Sequence, residues 1–180
     1  MLVLAPDPVQ AFAGSNYRQD QEFRLAAGAS LVLVDGVTAG RSAGAERWEF
    51  DFFQSRNEVW MADAGPGAEG SGRRIFLDAV NLQTSSGGLT VLQRLGRFNC
   101  LTSVLLLGPA VGDLAEEMLG YFQAQPVGCR TSFVASASPV AGGVLVRLAA
   151  VEVEAVTGEV RRLLASLATL LGDNPWARKW

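Results

Sequence analysis

Short apolar or alternating runs fill most of the chain. Clusters of Gly, Ser, Pro and Asp separate them, which is the pattern of β-strands joined by turns. In the third run, aromatic residues at every second position alternate with charged residues, so this run predicts a strand with one buried and one solvated face. The predicted strands are residues 23–25, 30–37, 46–53, 57–61, 75–83, 103–107 and 143–154.

Two segments in the C-terminal half change to a helical period. Apolar residues recur every three or four positions over 114–122, and Asp113 stands where it would cap such a helix. A leucine-rich stripe over 160–171 predicts a second helix, with Thr157 as its N-cap and Gly172 as its end. We expect this stripe to pack in the core of its own domain, because so wide an apolar face must be buried.

The elements follow the order strands, helix, strand, helix. This order favours a mainly β, largely antiparallel architecture with two packed amphipathic α-helices over βαβ winding. The sequence shows no internal repeat, and the glycine-rich residues 65–72 are interpreted as a loop within a hairpin. With 180 residues and 49% apolar content, the chain is expected to form a single domain, residues 1–180.

Missing residue types exclude several enzyme classes. No histidine occurs in the chain, so Ser-His-Asp or Cys-His catalysis and an HExxH zinc site cannot be built within it. The single lysine, Lys179, leaves little for Schiff-base or P-loop chemistry. Cys100 and Cys129 are too far apart for a zinc knuckle, and we expect them to be reduced and buried.

Charge and hydropathy indicate neither a polyanionic partner nor a membrane. The net charge of −3 produces no strong field for nucleic acid or an acidic membrane surface. No signal-like segment opens the chain, and no apolar run is long enough to cross a bilayer. These features predict a cytoplasmic protein that binds neither nucleic acid nor membrane.

Carboxylates are the abundant reactive groups that remain. Asp35 and Asp78 each follow an apolar run, so we expect both to be partly desolvated. Oxygen ligands without imidazole or clustered thiols bind transition metals weakly, which favours transient passage of an ion over tight storage. Two alternatives stay open: the acids are solvated charges paired with arginines, or two of them form a glycosidase pair with Trp48 and Trp60 as walls.

Several short motifs occur in a recognisable order along the chain. The residues that mark them are Phe12, Ala13, Gly14, Tyr17, Gln19, Gly40, Arg41, Glu46, Arg47, Trp48, Pro175 and Trp176. The order and spacing of these motifs resemble the urease accessory protein family called UreD or UreH, and the resemblance spans most of residues 2–180.

The resemblance implies a twisted, β-helical assembly that acts in urease maturation. The resemblance implies a non-enzymatic scaffold and nickel conduit. Such a protein would bind a UreF-type accessory protein, recruit a UreG-type GTPase through it and dock on apo-urease. The resemblance implies no tightly bound cofactor, only Ni²⁺ in transit. On this basis the candidate lining of a transient nickel path is Asp35, Glu46, Asp51, Glu58 and Asp78.

The resemblance also concerns the start of the chain. Family members usually carry a substantial β region before the segment that matches Leu4. The sequence therefore looks like the later part of the family fold, N-terminally incomplete. Because a β assembly that lacks strands exposes unpaired edges, an inactive or partial family fragment is the alternative to an active scaffold.

Overall fold

Strands dominate the structure, a computed structural model that describes residues 1–40, 46–63, 72–83, 88–126, 128 and 131–177. The strands are β1 (Leu2–Leu4), β2 (Val9–Gln10), β3 (Asn16–Leu25), β4 (Leu31–Thr38), β5 (Phe52–Ala62), β6 (Gly72–Gln83), β7 (Cys100–Leu107), β8 (Phe133–Val140) and β9 (Gly143–Ala150). The α-helices are α1 (Val91–Leu95), α2 (Gly112–Gln123), α3 (Val153–Leu163) and α4 (Leu167–Leu171), and a 3-10 turn covers Pro109–Val111. The predicted mainly β class with helices in the C-terminal half is confirmed.

These strands form two sheets. The larger sheet has the order β1-β4-β7-β9-β8, with β2 also beside β4, and the smaller sheet has the order β3-β5-β6. Four of the seven pairings between described strands are antiparallel, whereas β1 and β2 lie parallel to β4, and β3 lies parallel to β5. Side chains alternate in the same way in both arrangements, so the sequence pattern predicts strands without predicting these parallel pairings.

The larger sheet is the middle of three layers. Its strands β4 and β7 are buried on both faces, as expected for strands that are covered on both sides. Helices α2 and α3 pack on one face, where they share an apolar core with Val104 and Val146. The smaller sheet covers the other face through two apolar clusters, one that includes Leu105 and one that includes Val37 and Phe53.

The segment predicted as a strand at 46–53 is paired only from Phe52 onward. Trp48 is buried as its alternation predicted, yet its φ of 59° lies in the left-handed region and not in the strand region. The Trp48 amide donates to the carbonyl of Ala39 at 2.8 Å, and its indole N–H donates to the carbonyl of Phe98 at 2.9 Å. These bonds tie the segment to loops and not to a neighbouring strand.

This irregular backbone shifts the alternation of buried positions. The buried aromatic residue at the start of β5 is Phe53, not the predicted Phe52. A shift of one residue moves every later side chain of a strand to the opposite face. Ser55 and Asn57 consequently point toward the larger sheet, where both donate to the Asp35 carboxylate.

Helix α2 agrees with the first predicted helix except at its cap. Its inward face buries Leu114, Met118 and Phe122. Asp113 lies inside the first turn, while Val111 occupies the N-cap position, and no side chain caps the helix through a hydrogen bond. The acidic side chain is still well placed, because a negative charge in the first turn interacts favourably with the helix dipole.

The second predicted helix begins earlier than its pattern suggested. Strand β9 ends at Ala150, so the predicted strand at 143–154 is too long, and α3 starts at Val153 with Glu152 at the N-cap. Thr157 therefore lies within α3, where its hydroxyl donates to the carbonyl of Val153 at 3.1 Å instead of capping the helix. A hydroxyl that bonds back to the preceding turn is the usual arrangement for threonine inside a helix.

The leucine-rich stripe divides between two helices. Leu163, Leu164 and Leu167 are buried in the core shared with the larger sheet, as expected for a stripe that packs in its own domain. Leu170 and Leu171 are 51% and 40% exposed, so the end of the stripe does not take part. Helix α4 ends at Gly172, as predicted, with φ of 72°.

Some predicted features lie outside the described residues. They are the glycine-rich residues 65–71, Arg41, Cys129 and the tail at 178–180. Cys100 is within the described part and is buried and free, as predicted. No helix in the described part of the chain is long and apolar enough to cross a membrane.

Candidate functional site

Polar side chains lie across the otherwise apolar space between the two sheets. Along the inward face of β4, Leu33 belongs to one apolar cluster and Val37 to the other, and Asp35 stands between them. The same interruption occurs on the facing strands, and we call the whole set the polar band. Its members are Asp35, Ser103, Ser136 and Arg147 from the larger sheet, and Gln19, Gln21, Ser55, Asn57 and Asp78 from the smaller sheet.

Strand register aligns the polar band. In the larger sheet Asp35 lies opposite Ser103, and Ser103 lies opposite Arg147 on the next strand. In the smaller sheet Asn57 lies opposite Asp78. Residues that are opposite each other on paired strands share a face of the sheet, so two polar rows from separate sheets meet at one level.

Asp35 is held by neutral donors. The Ser55 hydroxyl donates to Asp35 Oδ2 at 2.6 Å, and Asn57 Nδ2 donates to the same oxygen at 2.7 Å. Hydrogen bonds to an ionised group are among the stronger ones in proteins, so these bonds fix the carboxylate in place. Both donors belong to β5, and the pair of bonds therefore also links the two sheets.

A chain of hydrogen bonds extends from Asp35 along the smaller sheet. Gln19 Nε2 donates to the Ser55 hydroxyl at 3.4 Å, and the Tyr17 hydroxyl donates to Gln19 Oε1 at 2.6 Å. Burial, and secondarily the negative charge of Asp35, raises the pKa of Tyr17 above its ordinary value. Tyr17 therefore stays a neutral donor over the physiological range.

Asp78 is paired with a cation. Arg147 Nη2 donates to Asp78 Oδ1 at 2.9 Å, which forms an ion pair between a strand of the larger sheet and a strand of the smaller one. The side chain of Asp78 is 13% exposed and that of Arg147 is 57% exposed. The acid is therefore enclosed, while much of the arginine side chain faces solvent.

A cavity of about 340 Å³ opens between the sheets at the level of the polar band. Most of its wall is apolar, with contributions from Phe53 and Leu101. Asp35, Asp78 and Arg147 also line it. A mainly apolar cavity with a few convergent polar groups is the usual form of a binding site for a small molecule.

Two buried amide oxygens in the polar band lack hydrogen-bond donors. Asn57 is 3% exposed, and its Oδ1 accepts no hydrogen bond from any described residue. Gln21 Oε1 also accepts no hydrogen bond from any described residue. Gln21 lies on the neighbouring strand β3, opposite Asn57 in register. Buried acceptors without donors are costly, and neither Asn57 nor Gln21 is among the residues that line the cavity.

The other three predicted acids lie elsewhere. Glu58 is on the outer face of the smaller sheet, where it forms ion pairs with Arg56 at 2.5 Å and Arg74 at 3.3 Å. Asp51 is exposed and Glu46 is half-exposed, both in the irregular segment before β5. Among the described residues, no group of three or more His, Cys, Asp or Glu side chains is arranged to hold a metal ion. Of the five candidates, the structure brings Asp35 and Asp78 to one cavity.

Motif residues around the irregular segment connect it to the loop before β7. Arg47 donates from Nε to Asn99 Oδ1 at 2.6 Å and from Nη2 to the carbonyl of Gly96 at 3.0 Å. Gly40 has φ of 93°, and a Cβ there would lie 2.8 Å from the carbonyl oxygen of Ala11. Arg47, Gly40 and the buried Trp48 therefore have structural roles. These roles depend on the guanidinium donors of Arg47, on the missing Cβ of Gly40 and on the indole N–H of Trp48.

The remaining motif residues fall into two groups. Tyr17 and Gln19 belong to the hydrogen-bond chain that leads to Asp35. Phe12, Ala13 and Gly14 form an exposed turn, and the amide of Gly14 donates to the carbonyl of Glu49 at 3.0 Å. Pro175 and Trp176 are half-buried, and Trp176 packs against the core under the helices.

The geometry does not favour a glycoside hydrolase. Asp35 and Asp78 do face one cavity, which is one requirement for such an enzyme. The proposed aromatic walls are absent from it, because Trp48 is buried against the loop at Phe98 and Trp60 lies between the guanidinium groups of Arg24 and Arg74. Neither tryptophan lines the cavity.

Sequence reasoning missed the uncharged members of the polar band and its arginine. Arg147 is the single charge in the strand GVLVRLAA, and a lone charge in an apolar strand was a usable signal. Ser55 falls between the predicted strands 46–53 and 57–61, and the pattern of 57–61 did not indicate which face of the sheet Asn57 occupies. Ser103 gave no signal, since a serine inside a strand is common.

Comparison with known proteins identifies relatives along the whole chain. The family model described as UreD urease accessory protein matches residues 1–180. The chain is 46% identical to urease accessory protein UreD of Sorangium cellulosum (strain So ce56), over all of this chain and 54% of that protein. It is 38% identical to urease accessory protein UreD of Anaeromyxobacter sp. (strain Fw109-5), over 99% of this chain and 57% of that protein.

A plant relative gives the same result. The chain is 32% identical to urease accessory protein D of Arabidopsis thaliana, over 98% of this chain and 65% of that protein. It thus spans between about half and two thirds of the length of these three relatives. The family resemblance inferred from the motifs is confirmed, and this chain belongs to the UreD family of urease accessory proteins.

Proposed function

We propose that this chain acts in urease maturation as a non-enzymatic scaffold and as a conduit through which Ni²⁺ passes to apo-urease. It acts in the cytoplasm with a UreF-type accessory protein and, through that protein, a UreG-type GTPase. Family membership supports the maturation role. The observation that supports the conduit is the cavity between the sheets, with Asp35 and Asp78 in its wall.

The chemistry of the polar band suits an ion in transit. The groups that it offers to an ion in the cavity wall are oxygens, namely the carboxylates of Asp35 and Asp78 and the hydroxyls of serine residues. Oxygen ligands without imidazole or thiolate bind Ni²⁺ less tightly than nitrogen and sulfur ligands do. Conduction requires sites that attract an ion and also release it, so weak ligands favour passage.

The test removes one cavity carboxylate at a time. Asp35→Asn and Asp78→Asn keep side-chain size and hydrogen bonding but remove the charge, and Asp51→Asn is the matched control because Asp51 is exposed and lies outside the cavity wall. We expect both cavity variants to slow urease activation severalfold, the double variant to slow it further, and Asp51→Asn to act as the unchanged protein does.

Capture of the UreF-type partner is measured in parallel, so that lost assembly is distinguished from lost conduction. Normal activation by the double variant would contradict the conduit. Failure of the unchanged chain to form a soluble complex with the UreF-type partner would instead favour the alternative of a partial family fragment.

A further inference from the structure

The cavity between the sheets has a polar end and an apolar end. On the larger sheet, one row across the strands is polar and consists of Asp35, Ser103, Arg147 and Ser136. The adjacent row on the same face is apolar and consists of Val37, Leu101, Ala149 and Val134. Both rows line the cavity. Residues two apart on a strand lie about 7 Å apart, so the cavity suits a molecule with a polar head and an apolar body at a similar separation.

The charges in the cavity wall do not balance. Among the described residues that line it, Asp35 and Asp78 are acidic and Arg147 is basic, which leaves a net charge of −1. Arg147 forms an ion pair with Asp78. Asp35 forms no ion pair with any described residue and is held by the neutral donors Ser55 and Asn57. Because an enclosed carboxylate is normally paired with a cation, a complementary ligand carries a positive charge to Asp35.

One oxygen of Asp35 remains available to a ligand. Both hydrogen bonds from Ser55 and Asn57 end on Oδ2. Oδ1 accepts no hydrogen bond from any described residue, yet it is not fully enclosed. The open space beside Asp35 is the cavity, whose wall this residue forms in part. The carboxylate is therefore fixed through one oxygen and can accept a hydrogen bond from a ligand through the other.

We propose that the cavity binds a small organic cation, a primary ammonium with a single ring or a short alkyl chain as its body. The ammonium group donates to Asp35 Oδ1, and the body packs against Val37, Phe53 and Leu101, which belong to one apolar cluster. A single unpaired carboxylate matches one positive charge, and the mainly apolar wall matches the body.

The size of the cavity limits the ligand. Its volume of about 340 Å³ is near the lower end of the range of about 300–1,000 Å³ for small-molecule sites. A ligand with one ring fits this volume better than a larger one does. The inference goes beyond the role in urease maturation and does not depend on passage of Ni²⁺.

The experiment titrates the full, metal-free chain with three compounds of similar shape and different charge. Phenethylammonium is positive, phenethyl alcohol is neutral and phenylacetate is negative. Nuclear magnetic resonance of the isotopically labelled protein follows the backbone amides. The amides that shift locate each compound, and the concentration dependence of the shifts gives its dissociation constant.

Three variants accompany the ligand series. Asp35→Asn removes the charge at the polar end, and Ala149→Phe fills the apolar end while it keeps Asp35. Asp51→Asn is the matched control, because Asp51 is exposed and lies outside the cavity wall. The ligand series on the unchanged protein does not depend on whether any variant folds.

We expect phenethylammonium to bind with a dissociation constant on the order of 1 mM, as befits so small a ligand. Phenethyl alcohol should bind at least about tenfold more weakly, because hydrogen bonds between charged groups are stronger than neutral ones. Asp35→Asn should reduce the affinity for the ammonium to that for the alcohol. Ala149→Phe should abolish binding of both compounds, and Asp51→Asn should bind both as the unchanged protein does.

Several results would overturn the proposal. Equal binding of the ammonium and the alcohol, or full ammonium binding by Asp35→Asn, would show that Asp35 is not the partner of the ligand. Tightest binding of phenylacetate would assign the site to Arg147 and to anions. Ammonium binding that survives Ala149→Phe with an unaltered thermal midpoint would place the compound outside the cavity.

The absence of saturable shifts well above the expected dissociation constant would also contradict the proposal. The titrations contain neither Ni²⁺ nor urease, whereas the conduit is judged by urease activation in the Asp35→Asn and Asp78→Asn variants. Failure of ammonium binding is therefore distinguishable from failure of the conduit.

Discussion

The two faces of the larger sheet differ although the same three central strands build both. On β4, β7 and β9, each member of the polar band is followed or preceded directly by a buried valine on the helix side. Val34, Val104 and Val146 are 5%, 0% and 0% exposed. Toward the helices the sheet is apolar at this level, whereas toward the smaller sheet it presents Asp35, Ser103 and Arg147.

One face of the larger sheet mainly stabilises the fold, and the other face carries the polar groups that could bind a ligand. The helix side buries mainly apolar side chains, with Thr102 as a buried polar exception, and the burial of apolar area is the dominant favourable contribution to folding. The opposite side places charges and amides between two apolar clusters, where each group costs free energy unless it has a partner. Such an interruption does not improve the fold. Polar groups that meet between two facing sheets are what a site for a polar ligand or an ion requires.

The largest expected effect comes from placing a charge on the helix side. Val146→Asp should lower the free energy of unfolding by at least about 3 kcal/mol, because the new carboxylate is buried without a partner. Arg147→Gln, one residue away but facing the cavity, should change it by no more than about 1 kcal/mol. Urea denaturation of both variants measures the contrast, and similar losses would show that the two faces do not differ as described.

An intermediate effect is expected inside the polar band. Asp35→Leu should lower the free energy of unfolding by about 1–3 kcal/mol, because the Ser55 hydroxyl and the Asn57 amide lose their acceptor. Asp35→Asn should have a smaller effect, since its side-chain oxygen can still accept both bonds. Thermal or urea denaturation provides the measurement. If leucine stabilised the protein, the hydrogen bonds to Asp35 would be irrelevant to the fold.

The smallest expected effect is a pH dependence on the helix side. Burial raises the pKa of the Cys100 thiol, with a smaller contribution from the charge of Glu154 and an opposing hydrogen bond from Thr102. The folded protein therefore keeps this proton to higher pH than the unfolded chain does. The associated stability is complete below the pKa of the unfolded thiol and is lost as pH rises through the folded pKa.

Cys100→Ala should remove this part of the alkaline decline. Above about pH 9, the free energy of unfolding should fall less steeply for the variant than for the unchanged protein. Below that pH the two curves should differ only by a constant offset from the lost side-chain volume. Parallel curves across the alkaline range would mean that the thiol does not contribute.

Much of the fold follows from local patterns in the sequence. The runs around Leu33, Leu105 and Leu145 predicted buried strands because they are continuously apolar, and these strands are covered on both faces. The prediction failed at Trp48, whose alternation matched a strand. Its backbone amide donates to Ala39 and its indole donates to Phe98, which lies 50 residues later, and neither contact leaves a local signal in the sequence.

The candidate site was predicted only in its most unusual members. Asp35 and Asp78 stood out because an acid after an apolar run is rarely placed at random. Glu58 was also a candidate, but on the other face of β5 it pairs with Arg56 and Arg74. A strand alternates faces every residue, so the choice between site and surface depends on a register that the sequence alone does not reveal.

Local patterns in the sequence were sufficient to predict strands β4, β6, β7 and β9, the helical segments of α2 to α4, the absence of histidine chemistry and, through the order of the motifs, the UreD family. They did not predict β1, β2, β8 or α1. Which acids meet depends on how the two sheets pack. Asp35 and Asp78 lie on different sheets, and they converge because parallel and antiparallel pairings bring β4 and β6 to the same level on facing layers. Local preference selects secondary structure, whereas convergence depends on contacts between residues far apart in the chain.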